Sequence, residues 1–92
     1  MMLSLIWHDD ALDDLEGIID FIEGHNPAAA RRIGNAIRET AERLPDYPYM
    51  YRIGRVPGTR EALITPNYVL VYRAGADVIE ILAVLHTRQQ YP

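Results

Sequence analysis

The sequence predicts an α+β domain: a strand, an antiparallel helical hairpin, then a four-strand, mainly antiparallel meander. Three observations carry this reading. Apolar residues recur at three- and four-residue spacing from Leu12 to Leu44, Pro45 ends that pattern, and beyond Arg52 short apolar runs alternate with turn residues.

Leu3-Ser4-Leu5-Ile6-Trp7 alternates weakly between polar neighbours and reads as a short first strand. Asp9 or Asp10 then caps a helix. Leu12, Leu15, Ile19 and Ile22, widened by Ile18, form its apolar stripe, and Asp13, Asp14, Glu16, Asp20 and Glu23 form a solvated face. Gly24 suits the position just past the helix, Asn26 is a good N-cap and Pro27 a good first helical residue. Ala30, Ile33, Ile37, Ala41 and Leu44 give the second helix one apolar face. So short a joint between amphipathic helices makes an antiparallel hairpin.

Residues 45–51, Pro-Asp-Tyr-Pro-Tyr-Met-Tyr, form an aromatic loop. Strand signals follow over Arg52 to Val56, Arg60 to Thr65, Tyr68 to Ala74 and Val78 to Leu85. Pro57-Gly58, Pro66-Asn67 and Gly75-Ala76-Asp77 are turn signals, and tight turns join antiparallel neighbours. The last two strands are nearly continuous apolar runs, so both are expected to be central and covered on both faces. A helical hairpin covers one face only. Burial of the other is expected from a partner protein or from loops.

With 92 residues the chain fits one domain, 1–92, and its 49% apolar fraction is that of a globular protein. There is no cysteine, which excludes disulfides, thiolate metal sites and cysteine catalysis. No apolar run approaches the roughly 20 residues that span a bilayer, and no basic region precedes an apolar stretch at the start. The expectation is a cytoplasmic protein without a membrane association. Net charge is −4, which argues against a general nucleic-acid binder. Residues 1–46 carry ten acids against four arginines, and residues 47–92 three acids against five arginines. All nine basic residues are Arg, suited to planar contacts with carboxylate or phosphate. Metal-ligand spacing, a Gly-rich phosphate loop and a nucleophile elbow are all lacking, so no cofactor is expected.

Five segments carry a resemblance. They are Ala11-Leu12-Asp13-Asp14-Leu15, Asn26-Pro27-Ala28-Ala29-Ala30, the stretch Gly54 to Glu61, Pro66-Asn67-Tyr68-Val69-Leu70-Val71-Tyr72-Arg73, and Ile79 to Pro92. In this order the chain resembles the RelE/ParE toxin family of type II toxin–antitoxin systems, with the tail and the Pro-Asn-Tyr segment closest to its ParE-like branch. The resemblance implies a toxin neutralised by a cognate antitoxin, ParD-like or related, through that protein's C-terminal segment. Acids of the antitoxin would meet arginines of the second half, and operator DNA would be bound only through the antitoxin. A ParE-like toxin acts on DNA gyrase. A RelE-like toxin is instead a ribosome-dependent endoribonuclease that cuts mRNA. A third reading is a non-toxic protein-binding module on the same fold.

For the ribonuclease, the resemblance assigns Arg60, His86, Arg88 and Tyr91. His86 or Tyr91 would take the 2′-OH proton while arginines stabilise the phosphorane. Each has a plainer reading. His86 suits the end of a strand or an antitoxin contact, and Arg60 a cross-strand ion pair. Arg88 and Tyr91 lie in a terminal tail. The chain has no lysine, which departs from the ribonuclease pattern of Lys or Arg on the second and third strands. Tyr47, Tyr49, Tyr51, Tyr68 and Tyr72 fit core and interface packing better than base stacking. His8 and His25 fall at helix boundaries, as caps or surface residues.

Overall fold

The computed structural model describes residues 3–89. Its elements are β1 (Ser4–Trp7), α1 (Asp9–Glu23), α2 (Pro27–Arg43), β2 (Arg52–Ile53), β3 (Arg60–Thr65), β4 (Tyr68–Ala74) and β5 (Val78–His86). The strands form one sheet in the order β1-β5-β4-β3-β2. Strands β2 to β5 make the expected antiparallel meander, and β1 joins β5 in parallel, with Leu5 opposite Ile79 and Trp7 opposite Ile81. The helical hairpin packs on one face. Ala11, Leu15, Ile37, Ala41 and Leu44 from the helices meet Ala62, Leu70, Tyr72, Ile79, Ile81 and Val84 from the sheet.

The start of α1 differs from expectation. His8, not Asp9 or Asp10, stands at the cap, and its side chain makes no capping bond. The cause is the strand before it: the His8 N–H still donates to Ile81 O at 2.9 Å, so the chain stays extended through His8. Asp9 and Asp10 occupy the first turn, where the helix dipole favours negative charge. The apolar face is also rotated. Ala11 and Leu15 are buried, Ile18 and Ile19 partly so, and Leu12 is exposed. Ala11 has no side chain beyond Cβ, so the helix axis lies close to the sheet there. That rotation turns Asp14 inward, away from its expected place on the solvated face. Helix α2 begins as expected, with Asn26 Oδ1 accepting the Ala29 N–H at 3.1 Å and Pro27 in the first turn.

Strand β2 is two residues long rather than the five from Arg52 to Val56. The Gly54 N–H donates to Thr59 O at 2.8 Å, which closes residues 55–58 into a loop and ends the ladder. A Cβ on Gly54 would collide with Thr59 Oγ1, and Gly58 has φ +84°, so both glycines are required for that closure.

On the sheet face away from the helices, Val69 and Val71 are already buried within the chain. Val69 lies between Leu63 and Leu85, and Val71 between Glu61 and Ala83. Arg52 and Arg55 close over Glu61. Val69 is therefore shielded between two leucines, and Val71 beside Glu61 and the arginines that close over it. A partner is not needed to bury them.

Candidate functional site

Strand β4 sets the distances among the residues singled out by sequence. Arg60 pairs with Tyr72 at one end of β4, and His86 pairs with Tyr68 at the other. Four residues of strand separate the two positions by about 13 Å, and β3 and β5 flank β4 on opposite sides, adding about 10 Å. Arg60 and His86 do not meet.

Each is also engaged locally. Arg60 Nη1 donates to Tyr51 O at 2.8 Å and more weakly to Tyr49 O at 3.5 Å, and its guanidinium lies 5.1 Å from the centre of the Tyr49 ring. The Tyr72 hydroxyl donates to Pro48 O at 2.9 Å. Together these bonds bolt the aromatic loop to the sheet. The expected ion pair falls instead to the neighbouring Glu61, which points to the opposite face. Its carboxylate accepts from Arg52 Nη2 and from the Arg55 N–H, both at 3.0 Å.

His86 packs edge-on against Tyr68 with ring centres 5.4 Å apart. Its Nδ1 accepts the Arg88 N–H at 3.1 Å, and its own N–H donates to Gln89 Oε1 at 2.8 Å. A ring whose Nδ1 accepts a hydrogen bond carries its proton on Nε2 when neutral. In that tautomer Nε2 is a donor, not a base. Of the three described residues, only His86 and Arg88 come together, through the Arg88 backbone N–H rather than its guanidinium. Tyr91 lies outside the described residues.

The His86 end opens into a cleft of about 360 Å³ between α1 and the sheet, lined by Asp13, Asp14, Phe21, Tyr68, His86 and Gln89. Asp14 Oδ2 accepts the Val84 N–H at 3.0 Å. Burial, followed by repulsion from Asp10 and Asp13, raises its pKa, with the Val84 bond opposing. Across the outer face, Glu80 bridges His8 at 2.9 Å and Arg73 at 3.0 Å. Hydrogen bonds from Arg73, then His8, lower the Glu80 pKa to about 2. His8 is thus a cross-strand partner, and the sequence offered no cue to that.

Two surfaces remain. Adjoining clefts of about 450 and 220 Å³ run along α1, α2 and the free edge of β1, sharing Leu12, Leu15 and Arg38. At the other edge of the sheet, Tyr47, Tyr49, Met50 and Ile53 are all exposed. The tyrosines therefore divide: Tyr68 and Tyr72 are core, while Tyr47 and Tyr49 are surface. Among the described residues, no group of three or more His, Asp or Glu side chains is arranged to hold a metal. No helix among them is long and apolar enough to cross a membrane.

A core of this shape under a β1-β5-β4-β3-β2 sheet is that of small toxins from toxin–antitoxin pairs. The chain belongs to the family of ParE toxins of type II toxin–antitoxin systems, whose family model matches residues 5–91. It is 39% identical over 87 residues to Y4kP of Sinorhizobium fredii, a toxin candidate by its name, covering 94% of this chain and 90% of that one. Toxin RelE2 of Caulobacter vibrioides is 31% identical over 85 residues, covering 92% and 96% of the two chains. Among solved structures, the chromosomal ParDE system of P. aeruginosa superposes with TM-score 0.83 at 26% identity, covering 92% of this chain and 96% of that chain. The RelBE2 toxin–antitoxin complex of Mycobacterium tuberculosis superposes at 0.68 with 25% identity, covering 94% and 99%.

Proposed function

We propose that this toxin arrests growth by binding DNA gyrase, without covalent chemistry of its own, and that a cognate antitoxin silences it. The observation that carries the mechanism is the separation of Arg60 from His86. In-line cleavage of RNA needs a base, an acid and cationic stabilisers within hydrogen-bond reach of one phosphate. Here Arg60 is committed to loop carbonyls at one end of β4, and the His86 lone pair is committed to the Arg88 N–H at the other. The net charge of −4 also matches RNA poorly. The ribonuclease reading keeps one observation in its favour, a His86 ring at the mouth of an open cleft with Arg88 two residues away in the chain.

The antitoxin reading draws on the groove along α1, α2 and β1. Leu5, Trp7, Leu12 and Leu15 line it beside the unpaired edge of β1, a surface shaped for an amphipathic segment that folds on binding. The ParDE and RelBE2 neighbours are themselves toxin–antitoxin systems. Inducing the chain alone in a susceptible bacterium tests the toxin reading: growth stops if it is a toxin and continues if it is a non-toxic module. Co-expressing the adjacent reading frame restores growth if that frame encodes the antitoxin. A gyrase-directed toxin induces the DNA-damage response and leaves transcripts whole.

A further inference from the structure

The groove beside β1 and the aromatic loop beside β2 sit at opposite edges of the sheet and differ in shape. The groove is concave. The loop projects, with Tyr47, Tyr49, Met50 and Ile53 retaining 59%, 65%, 53% and 74% of their exposure. These four are half of the exposed large hydrophobic residues among those described, gathered within seven positions of sequence. The loop is not loosely held. Arg60 grips Tyr51 O, Tyr72 grips Pro48 O, and the Met50 N–H closes on Tyr47 O at 3.2 Å. Internal hydrogen bonds thus present apolar side chains to water at fixed positions, which lowers the ordering cost of a later contact. Tyr, Met and Arg are the residue types enriched at protein interfaces.

A notch of about 280 Å³ lies between Tyr49 and Ile53, with Thr59 and Arg60 in its lining. Arg60 uses Nη1 for both loop carbonyls, and among the described residues its Nε and Nη2 make no hydrogen bond. Arg52 and Arg55 flank the patch, sharing the buried Glu61 as counter-ion. The complement to this surface is an apolar pocket with a carboxylate positioned to enter the notch.

We propose that the Tyr47–Ile53 loop is the surface by which the toxin engages its protein target, docking into an apolar pocket with an acidic side chain directed at Arg60. Projecting anchors need a preformed pocket on a folded partner, whereas an antitoxin segment that folds on binding brings its own anchors to a groove. The inference rests on the toxin reading above and deepens it. Nucleic acid is a poorer fit, because Arg52 and Arg55 share Glu61 and the side chains most exposed on the loop are apolar or aromatic rather than cationic.

The test compares Met50→Asp/Ile53→Asp with Met50→Arg/Ile53→Arg, each induced alone and each co-expressed with the antitoxin. The aspartate pair is expected to raise the expression needed for growth arrest by about ten-fold or more, since it removes two anchors and repels an acidic partner. The arginine pair is expected to arrest growth at lower expression than the aspartate pair, and both are expected to co-purify with the antitoxin. If the aspartate pair melts well below the parent, Tyr47→Asp on the same loop decides in its place. Arrest by the aspartate variants at parental expression overturns the proposal. So does loss of the antitoxin complex, which would assign the loop to the antitoxin. Equal loss in both pairs overturns the acidic partner, and loop-dependent retention on single-stranded RNA overturns the protein partner. A parent chain that arrests nothing overturns the toxin reading and this proposal together, an outcome distinct from all the others.

Discussion

Asp14 on α1 accepts the backbone N–H of Val84 on β5 at 3.0 Å, two residues beyond the bulge at which β4 and β5 change register. The bulge makes Leu82 the extra residue, so the alternation of Ile79 and Ile81 resumes on the core face at Val84. Asp14 therefore ties the first helix to the irregular part of the longest strand. Burial raises its pKa. An acid whose folded pKa is raised loses stabilising contribution as pH rises from its ordinary value of 3.8 through the folded value. Asp14→Asn keeps an oxygen acceptor and removes the charge. It is expected to match the wild type in acid and to exceed its melting temperature at neutral pH. Asp14→Ala leaves the Val84 N–H without a partner and is expected to cost about 1–2 kcal/mol. Thermal melts of both variants at pH 4 and pH 7 check the sign.

Glu80 has the opposite sign. Its pKa is lowered from 4.5 to about 2 by Arg73 and His8. Its contribution is present above pH 4.5 and is lost as pH falls toward 2. Glu80→Gln is expected to flatten the melting temperature between those values and to leave the slope above pH 5 unchanged. The effect is small, because the group is open to solvent screening. A Glu80→Gln profile parallel to the wild type over the acid range would count against the His8–Glu80–Arg73 network.

Arg60 serves as an anchor for the loop. Arg60→Ala is expected to lower stability by about 1–3 kcal/mol, because loop carbonyls lose a charged donor. Tyr72→Phe, which removes only the bond to Pro48 O, is expected to cost about 1 kcal/mol. Denaturant melts read both. An Arg60→Ala chain as stable as the parent would weaken this role and favour a phosphate contact.

The hairpin and the meander were legible because their signals are local: Asn26-Pro27, Pro45, the helical spacing, and turn residues at 57–58, 66–67 and 75–77. The parallel pairing of β1 with β5 was not, since it joins Leu5 to Ile79 across most of the chain and no turn residue encodes it. The rotation of α1 was hidden as well. Ala11 is a weak apolar signal beside Leu12, yet contact with the sheet selects the smaller residue. Of the four site residues, the sequence shows their types but not that β4 holds Arg60 and His86 apart. Strand register fixes that distance.

Core packing is tested by truncation. Leu70 and Ile37 face each other's layers and are fully buried. Leu70→Ala or Ile37→Ala is expected to cost about 2–5 kcal/mol through lost burial and the cavity left behind. Leu12→Ala, at an exposed position in the groove, is expected to change stability by less than about 1 kcal/mol and to weaken the antitoxin complex. A loss of stability at Leu12 comparable to that at Leu70 would contradict the rotated face of α1.

What happens to messages and to DNA in the first minutes after the toxin is made alone separates gyrase binding from cleavage of mRNA. Mapping transcript ends while following a DNA-damage reporter reads both in one culture. The expected result is a rising reporter with transcripts uncut, and the same pattern in the double variant His86→Ala/Tyr91→Phe, which loses contact energy only. Proton transfer by a positioned side chain is worth about 10²–10⁴-fold, so a ribonuclease would lose its cleavage in that variant. Codon-positioned cuts within minutes of induction, absent in the double variant and unaccompanied by DNA damage, would contradict the gyrase reading.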